Sequence, residues 1–417
     1  MKQSECENLI VIPTYWAPSS PAGIKPDYGE NEEVIYDHPT NLNSEGTLTR
    51  CLASLERIKG YCFDVLIVGS ASTPEIQKEM AHCVRKLVCG MRDRLPGKVY
   101  LFTDDRIELC RDILRKLPAQ ATQFMEVKGY SNVRNTMVIL GSLLDAERII
   151  MIDDDEYITD PDYLGKIVRT LGTRVNGNVV DGLAGYYMNL DFTWQVPESG
   201  KLWSAFWPKS TTINATYQKL LEQEIAGDLI ETPMVFGGCM AITKNLYRTI
   251  PFDRRVPRGE DIDYLINARM FGYNFYMHQK LSIVHDPPPK TNSDWLRLRQ
   301  DIVRFIYEKR KLVEQEPRPN MVRVNIDQLG PYPAAFLGDD LMDRFVRTTT
   351  FLAIDYLADG AHEDAKECLK NVSLAMETEK SPRNGFQDLL HLQKLWGEIH
   401  KAIADSENRQ IQELMLE

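Results

Sequence analysis

The chain has 417 residues and a formal net charge of -11 at pH 7, which argues against a general nucleic-acid binder, whose footprint would be basic. The length allows one large domain or two smaller ones, each with a substantial core. No apolar run approaches the roughly 20 residues of a membrane-spanning helix, and the opening MKQSECEN lacks the apolar core of a secretory signal. The expectation is a soluble, cytoplasmic protein without a transmembrane segment. The eight cysteines are scattered with no CxxC pair, so they read as reduced core residues rather than a disulfide framework.

The first half alternates short apolar strands with amphipathic helices, the pattern of a mostly parallel sheet covered on both faces. The strands are LIVIP, FDVLIVGS, KVYLFT and ERIIMI. In LTRCLASLERI, Leu48, Cys51, Leu52, Leu55 and Ile58 fall on one helical face. A second helix is predicted from a cap at Thr73, with Pro74 at its first position, to Gly90. Residues 15–43 form a loop rich in Pro, Gly and acids, far longer than the usual connection of about 2 to 6 residues, and are expected to fold over a ligand. Asp104 and Asp105 read as a helix cap. In GYSNVRNTMVILG, Ser131 reads as an N-cap, with Arg134 and Asn135 facing a diphosphate near the helix start; ordinary surface placement is the alternative. From Asp181 the pattern becomes a smaller, mixed part of the same sheet, rich in aromatics, and beyond Thr291 it is almost entirely helical.

The segment ERIIMIDDDEYITDPDY places Asp153, Asp154, Asp155 and Glu156 together at the C-terminal end of a buried strand. A divalent cation bound through oxygen, completed by an anionic phosphate, would relieve their repulsion. A helix cap is the alternative, since Asp160 and Pro161 open a helix, but that explains Asp160 alone. In RGEDIDYLINARMFGY a helix ending at Gly272 carries Glu260 and Asp261 in its first turn. A helix N-terminus favours ionised carboxylates, which suits Asp261 as a base; simple complementation of the helix dipole is the alternative. His285 ends the strand LSIVH; a lone histidine there is more often structural, but another predicted strand end already supplies metal-binding acids, and imidazole, though less suited to manganese than carboxylate, still binds it. Gly237 and Gly238, inside the apparent strand VFGGCMAIT, mark either a close approach to the backbone, as by a sugar ring, or a bulge. Trp203 and Trp207 are acceptor platforms or core, at least one of them core.

Taken in order, LIVIPTYW, NVRNTM, IDDDE and GEDIDYLINARMFGY resemble the motifs of the GT-A glycosyltransferases, closest in pattern to the family-two inverting enzymes, over residues 8–289. The resemblance implies a GT-A type, Rossmann-like α/β fold that moves a hexose from a UDP- or GDP-linked nucleotide-sugar donor to a small-molecule or glycan acceptor, with manganese or magnesium as cofactor. It implies that Asp153 contacts the ribose, that Asp155 and His285 hold the metal, and that Asp261, beside Glu260, deprotonates the acceptor. Pro13, Thr14 and Tyr15 would line the base pocket, and Arg134, Asp154, Gly237 and Gly238 would complete the donor site. The chain departs from the family at IVGSAS, where Gly69 and Ser70 replace the acids of a VVDDGS-like turn, which leaves the choice between uridine and guanosine open. The helical C-terminal part is similar in layout to soluble GT-A enzymes such as mannosylglycerate synthase, which retain configuration. The expected organisation is a nucleotide-sugar half (1–160), an acceptor half (161–290) and a helical region (291–417) able to support a homo-oligomer. The rivals are a retaining transferase, a haloacid-dehalogenase-like phosphotransferase, against which Glu156 and Tyr157 count, a nucleotidyltransferase, which lacks its glycine-rich loop here, and a pure binding module.

Overall fold

The first strand, β1 (Asn8–Ala17), is buried along all ten residues because layers cover both faces of the sheet. The computed structural model describes residues 7–18, 36–44, 46–104, 106, 123–225, 227–289, 293–404 and 416. Strands β2 (Asp64–Ala71), β3 (Val99–Phe102) and β4 (Arg148–Met151) follow. β1 pairs in parallel with β2 on one side and β4 on the other, Val11 lying opposite both Leu66 and Met151. The chain therefore leaves β1 in one direction and later returns to its other flank. In such sheets a crevice opens at that switch point, beyond the carboxyl ends of the strands.

The second half adds β5 (Gly182–Met188), β6 (Leu229–Glu231), β7 (Met240–Thr243) and β8 (Phe275–His285). β7 runs antiparallel between β4 and β5, and β8 is parallel to β5, giving the order β6-β8-β5-β7-β4-β1-β2-β3. The expected mostly parallel α/β sheet with a mixed second half is thus present as one continuous sheet. Two short pieces extend it. Thr40–Asn41 pairs with the end of β1, and Glu156–Tyr157 pairs with the end of β8, so that His285 lies opposite Glu156.

Alternate residues of each strand feed two cores. Ile10, Ile67 and Ile150 pack with Leu52 of α1 (Leu48–Leu55), Val84 of α2 (Gln77–Met91) and, further on, Leu164. Val11, Leu66 and Ile149 face the other way, against Val138 of α3 (Tyr130–Leu143). The remaining helices of six or more residues among the described residues are α4 (Tyr163–Thr170), α5 (Lys209–Leu221), α6 (Lys244–Thr249), α7 (Glu260–Met270), α8 (Asp294–Val313), α9 (Leu341–Ala358), α10 (His362–Lys380) and α11 (Gly385–Ala404). The helical C-terminal region shares the α3 core through Phe305 and Trp396. Among the described residues no helix is long and apolar enough to cross a membrane.

Several local expectations shift. Pro74–Ile76 is a 3-10 turn before α2, which runs past Gly90 to Met91 because Val88 and Met91 still have a core to face. Gly129, with φ of 85°, caps α3 in place of Ser131, whose hydroxyl instead donates to the Val256 carbonyl at 2.8 Å. α4 begins two residues beyond Pro161, since the Asp160 carboxylate accepts from the Asp162 amide and closes a local turn. Cys51, Cys239 and Cys368 are buried free thiols, whereas Cys62, in the loop before β2, and Cys89, on α2, are exposed. Cys6, Cys110, Asp105 and residues 19–35 of the long loop lie outside the described residues.

Candidate active site

A cleft of about 720 Å³ opens at the carboxyl ends of β1 and β4. Just beyond β4 the acid block turns back on itself. Glu156 is fully buried, and its carboxylate accepts from the Asp153 amide at 2.9 Å, which shapes the turn. Thr14 donates to Asp154 at 2.5 Å and accepts from Trp16 Nε1 at 2.9 Å. Thr14 and Asp154 therefore tie β1 to the acid loop, and of Pro13, Thr14 and Tyr15 it is Tyr15 that reaches the cleft. Burial and then the adjacent Asp155 push the Asp154 carboxyl well above the ordinary range. Burial also raises Asp153, although Arg134 opposes it. Crowded carboxylates of this kind are a poor resting state without a cation.

Asp155 Oδ2 lies 3.4 Å from His285 Nε2. The His285 ring is stacked on Tyr187 with centroids 4.9 Å apart, and the Asp286 amide donates to the Asp155 carbonyl at 3.0 Å. Among the described residues no three His, Cys, Asp or Glu side chains are gathered tightly enough to hold an ion by themselves. An oxygen and a nitrogen donor meeting at one point nevertheless fit magnesium or manganese. Magnesium takes one or two carboxylates and fills its shell with substrate phosphate and water, and manganese also accepts imidazole.

Arg134 points from the second turn of α3 into the same space and is 2% exposed. Its Nη2 donates to Asp153 at 2.7 Å and its Nε to Glu260 at 3.4 Å. Among the described residues its Nη1 has no partner, nor has the buried hydroxyl of Tyr15. Tyr15 is held by Tyr36 and Tyr130, with ring centroids at 4.2 and 5.2 Å. Two orphaned buried donors beside an acid block mark a place where an oxyanion would be satisfied. Asn135 takes no part: it exchanges two hydrogen bonds with the Phe252 backbone, each at 2.9 Å, inside the core.

α7 starts at Gly259, whose φ is +73° and where a Cβ would stand 1.8 Å from Arg304 Nη1, so only glycine fits. Glu260 is buried and Asp261 is half-buried at the cleft wall. The Asp261 oxygens accept from the Ile262 amide at 2.7 Å and the Gly237 amide at 2.8 Å, which fixes the carboxylate's orientation. Burial, then the Asp261 charge, lift the Glu260 pKa to about 7 against the pull of Arg134.

Gly237 and Gly238 are not inside a strand and form no bulge. They sit in a 3-10 turn, Gly237–Cys239, that precedes β7. What approaches them is protein: a Cβ at Gly237 would lie 2.5 Å from Arg134 Nη2, and one at Gly238 would lie 2.1 Å from Glu156 Oε1. Gly237 lines the cleft, while the Gly238 amide donates to the Tyr187 hydroxyl at 3.0 Å. Ser70, at the departure from the family pattern, is also internal, bonded to Tyr36 at 2.7 Å and to the Val127 carbonyl at 2.6 Å.

The far end of the cleft is lined by Trp194, Trp203 and Lys209. Trp207 is core, stacked on Phe345 at 4.8 Å, and Trp203 is half-buried. Residues that sequence reasoning missed also converge here. Arg258 donates to Asp37 at 2.9 Å and lies 3.8 Å from Asp301, which itself pairs with Lys209 at 2.9 Å. Nothing local marks such pairs; Arg258 stands next to the acidic helix motif, but its partner is 221 positions away.

No family model and no curated protein matches the sequence. Among solved structures the chain is similar to PcManGT, a mannosyltransferase from Pyrobaculum calidifontis solved with GDP-Man and Mn2+, at 14% identity over 97% of this chain and 89% of that one, with a TM-score of 0.44. It is also similar to GalNAc-T7 with UDP, GalNAc and Mn2+, at 14% identity over 78% and 53% of the two chains, TM-score 0.37. A mycobacterial protein is 13% identical over 74% and 73%, TM-score 0.34. The functional reading is carried by the site's own residues.

Proposed function

We propose that the protein is a metal-dependent glycosyltransferase of the GT-A type that transfers a hexose from a UDP- or GDP-linked donor to a hydroxyl acceptor, with inversion. The observation that carries this reading is the meeting, in one cleft at the sheet's switch point, of the Asp153 to Asp155 block and His285 with Glu260, Asp261 and the half-satisfied Arg134. Asp155 and His285 would hold the cation, which when bound supplies charge neutralisation on the departing diphosphate. Arg134 Nη1 and the Tyr15 hydroxyl are the donors left over for phosphate oxygens. Asp153, already polarised by Arg134, is placed for a ribose hydroxyl.

Asp261 supports inversion. It lines the cleft, and two backbone amides hold its oxygens in place while leaving lone pairs for the proton of an attacking hydroxyl. Glu260 also lines the cleft, where its Oε1 accepts from Arg134 Nε at 3.4 Å and would help to orient that guanidinium. The decisive experiment is a panel of UDP- and GDP-sugars assayed with manganese, comparing wild type with Asp155→Ala. Turnover in the wild type that is lost in the variant, at unchanged thermal stability, is expected; full activity in the variant refutes the metal assignment. Proton coupling constants of the product then separate inversion from retention.

A further inference from the structure

The far end of the cleft is walled by α8. Asp294, Arg297, Leu298, Asp301 and Arg304 recur at three- and four-residue spacing, so one face of that helix lines the cavity. Lys209, the first residue of α5, joins the wall by donating to both oxygens of Asp301, at 2.9 and 3.0 Å. Arg258 stands 3.8 Å from the same carboxylate and pairs with Asp37, which also meets Arg297 at 3.4 Å. Asp37 and Asp301 thus each serve more than one cation.

Three donors at this wall are left over. Arg304 is 1% exposed; its Nε donates to Glu308 at 2.8 Å and its Nη1 to the Tyr332 hydroxyl at 3.1 Å, while Nη2 is buried and has no partner among the described residues. The indole Nε1 of Trp203 is buried and unpartnered in the same way. Lys209 carries three protons, and two of them go to Asp301. Burial lowers the Lys209 pKa to about 8, and the charges of Arg258 and Arg304 add to the fall against the pull of Asp301. A buried guanidinium donor with no acceptor is a costly resting state. A carboxylate or phosphate oxygen would satisfy it with a charge-assisted bond about twice as strong as a neutral one.

This wall adjoins the proposed base. Arg304 packs beneath Gly259, two residues before Asp261, and the charges of Arg304 and Asp261 both act on the Tyr332 hydroxyl. Resting on the transferase reading above, we propose that the acceptor is an anion, carrying a carboxylate or a phosphate within a few bonds of the hydroxyl it offers to Asp261, and that Arg304 Nη2, Lys209 Nζ and Trp203 Nε1 receive that group.

The test uses the full chain and two readouts. Slow hydrolysis of UDP- and GDP-sugars with manganese, without acceptor, reports the donor side alone. Saturation-transfer NMR, with UDP, GDP and manganese filling that side, then measures binding of acetate against acetamide and of methyl phosphate against trimethyl phosphate. At least one anion should bind about tenfold more tightly than its neutral counterpart, and the tighter of the two names the acceptor's charged group. Lys209→Gln and Arg304→Lys should each weaken that anion by roughly tenfold with circular dichroism unchanged, the second because an ammonium lacks the guanidinium's fork. Anions that bind no better than their neutral counterparts, or as well in both variants as in the wild type, overturn the anion subsite, while donor hydrolysis leaves the transferase reading standing. Absence of hydrolysis of every UDP- and GDP-sugar overturns that reading, and the acceptor assignment with it.

Discussion

Lys311 reaches from α8 into the interior and places its ammonium 2.5 Å from Asp263 Oδ1, two residues along α7 from Asp261. It also meets Asp253 at 3.2 Å and Asn267 at 3.0 Å, and none of the three charges is exposed. Arg304, two turns earlier on α8, lies under the Gly259 cap of α7 and pairs with Glu308 at 2.8 Å. The C-terminal helical region therefore clamps the first turn of α7, where the acids of the cleft sit. Replacing Lys311 with Met strands Asp253 and Asp263 in the core, and breaking a buried pair in this way costs about 3 to 5 kcal/mol. Urea unfolding of Lys311→Met should show a loss of that size, and Lys311→Arg a smaller one.

The two glycines before β7 make a paired prediction. Gly237→Ala drives a methyl group against Arg134 Nη2, 2.5 Å away, and must push the guanidinium off Asp153. Nucleotide binding by calorimetry should weaken by about tenfold, equivalent to roughly 1.4 kcal/mol. Gly238→Ala meets the buried Glu156 instead. Overpacking there should lower stability by about 1 to 3 kcal/mol.

Glu260 should leave a signature in the pH dependence of stability. Its folded-state pKa of about 7 lies above the ordinary 4.5, through burial and the neighbouring Asp261. The native state therefore holds the proton more tightly than the unfolded chain. The stabilisation is fully present below about pH 4.5 and is lost as pH rises through about 7. Glu260→Gln removes that loss, so the fall in unfolding free energy between about pH 5 and about pH 8 should shrink by about 1 to 3 kcal/mol. An identical pH profile in the variant and the wild type contradicts the raised pKa.

The two neighbouring tryptophans should separate cleanly. Trp207 packs on Phe336 and Phe345 and donates to Asp301 at 3.2 Å, so Trp207→Ala should cost about 3 to 5 kcal/mol of stability. Trp203 is half-buried at the far end of the cleft. Trp203→Ala should leave stability within about 1 kcal/mol and raise the KM for acceptor while the KM for donor stays put.

The acid block and the acidic helix were legible because each is local: an apolar strand followed by aspartates, and carboxylates in the first turn of an amphipathic helix. Arg134 was legible for the same reason, as a basic residue one turn into a helix. The glycine turn was misplaced because its demand is set by Arg134 and Glu156, both distant in the chain, rather than by strand periodicity. Ser131 looked like a helix cap and Asn135 like a site residue by position, yet their partners are backbone atoms of residues 256 and 252.

Hydrophobic alternation and turn chemistry act over a few residues, so the sequence by itself determined the alternating strands and helices, the burial of β1 and the emergence of carboxylates at the end of β4. Which carboxylates meet which cations depends on how the sheet is threaded. Only the tertiary structure decided that His285 pairs across to the acid block, that Asp37 and His38 return to the cleft, and that α8 braces α7. Those contacts join positions tens to hundreds of residues apart, and their energies arise from burial and charge pairing that no local pattern encodes.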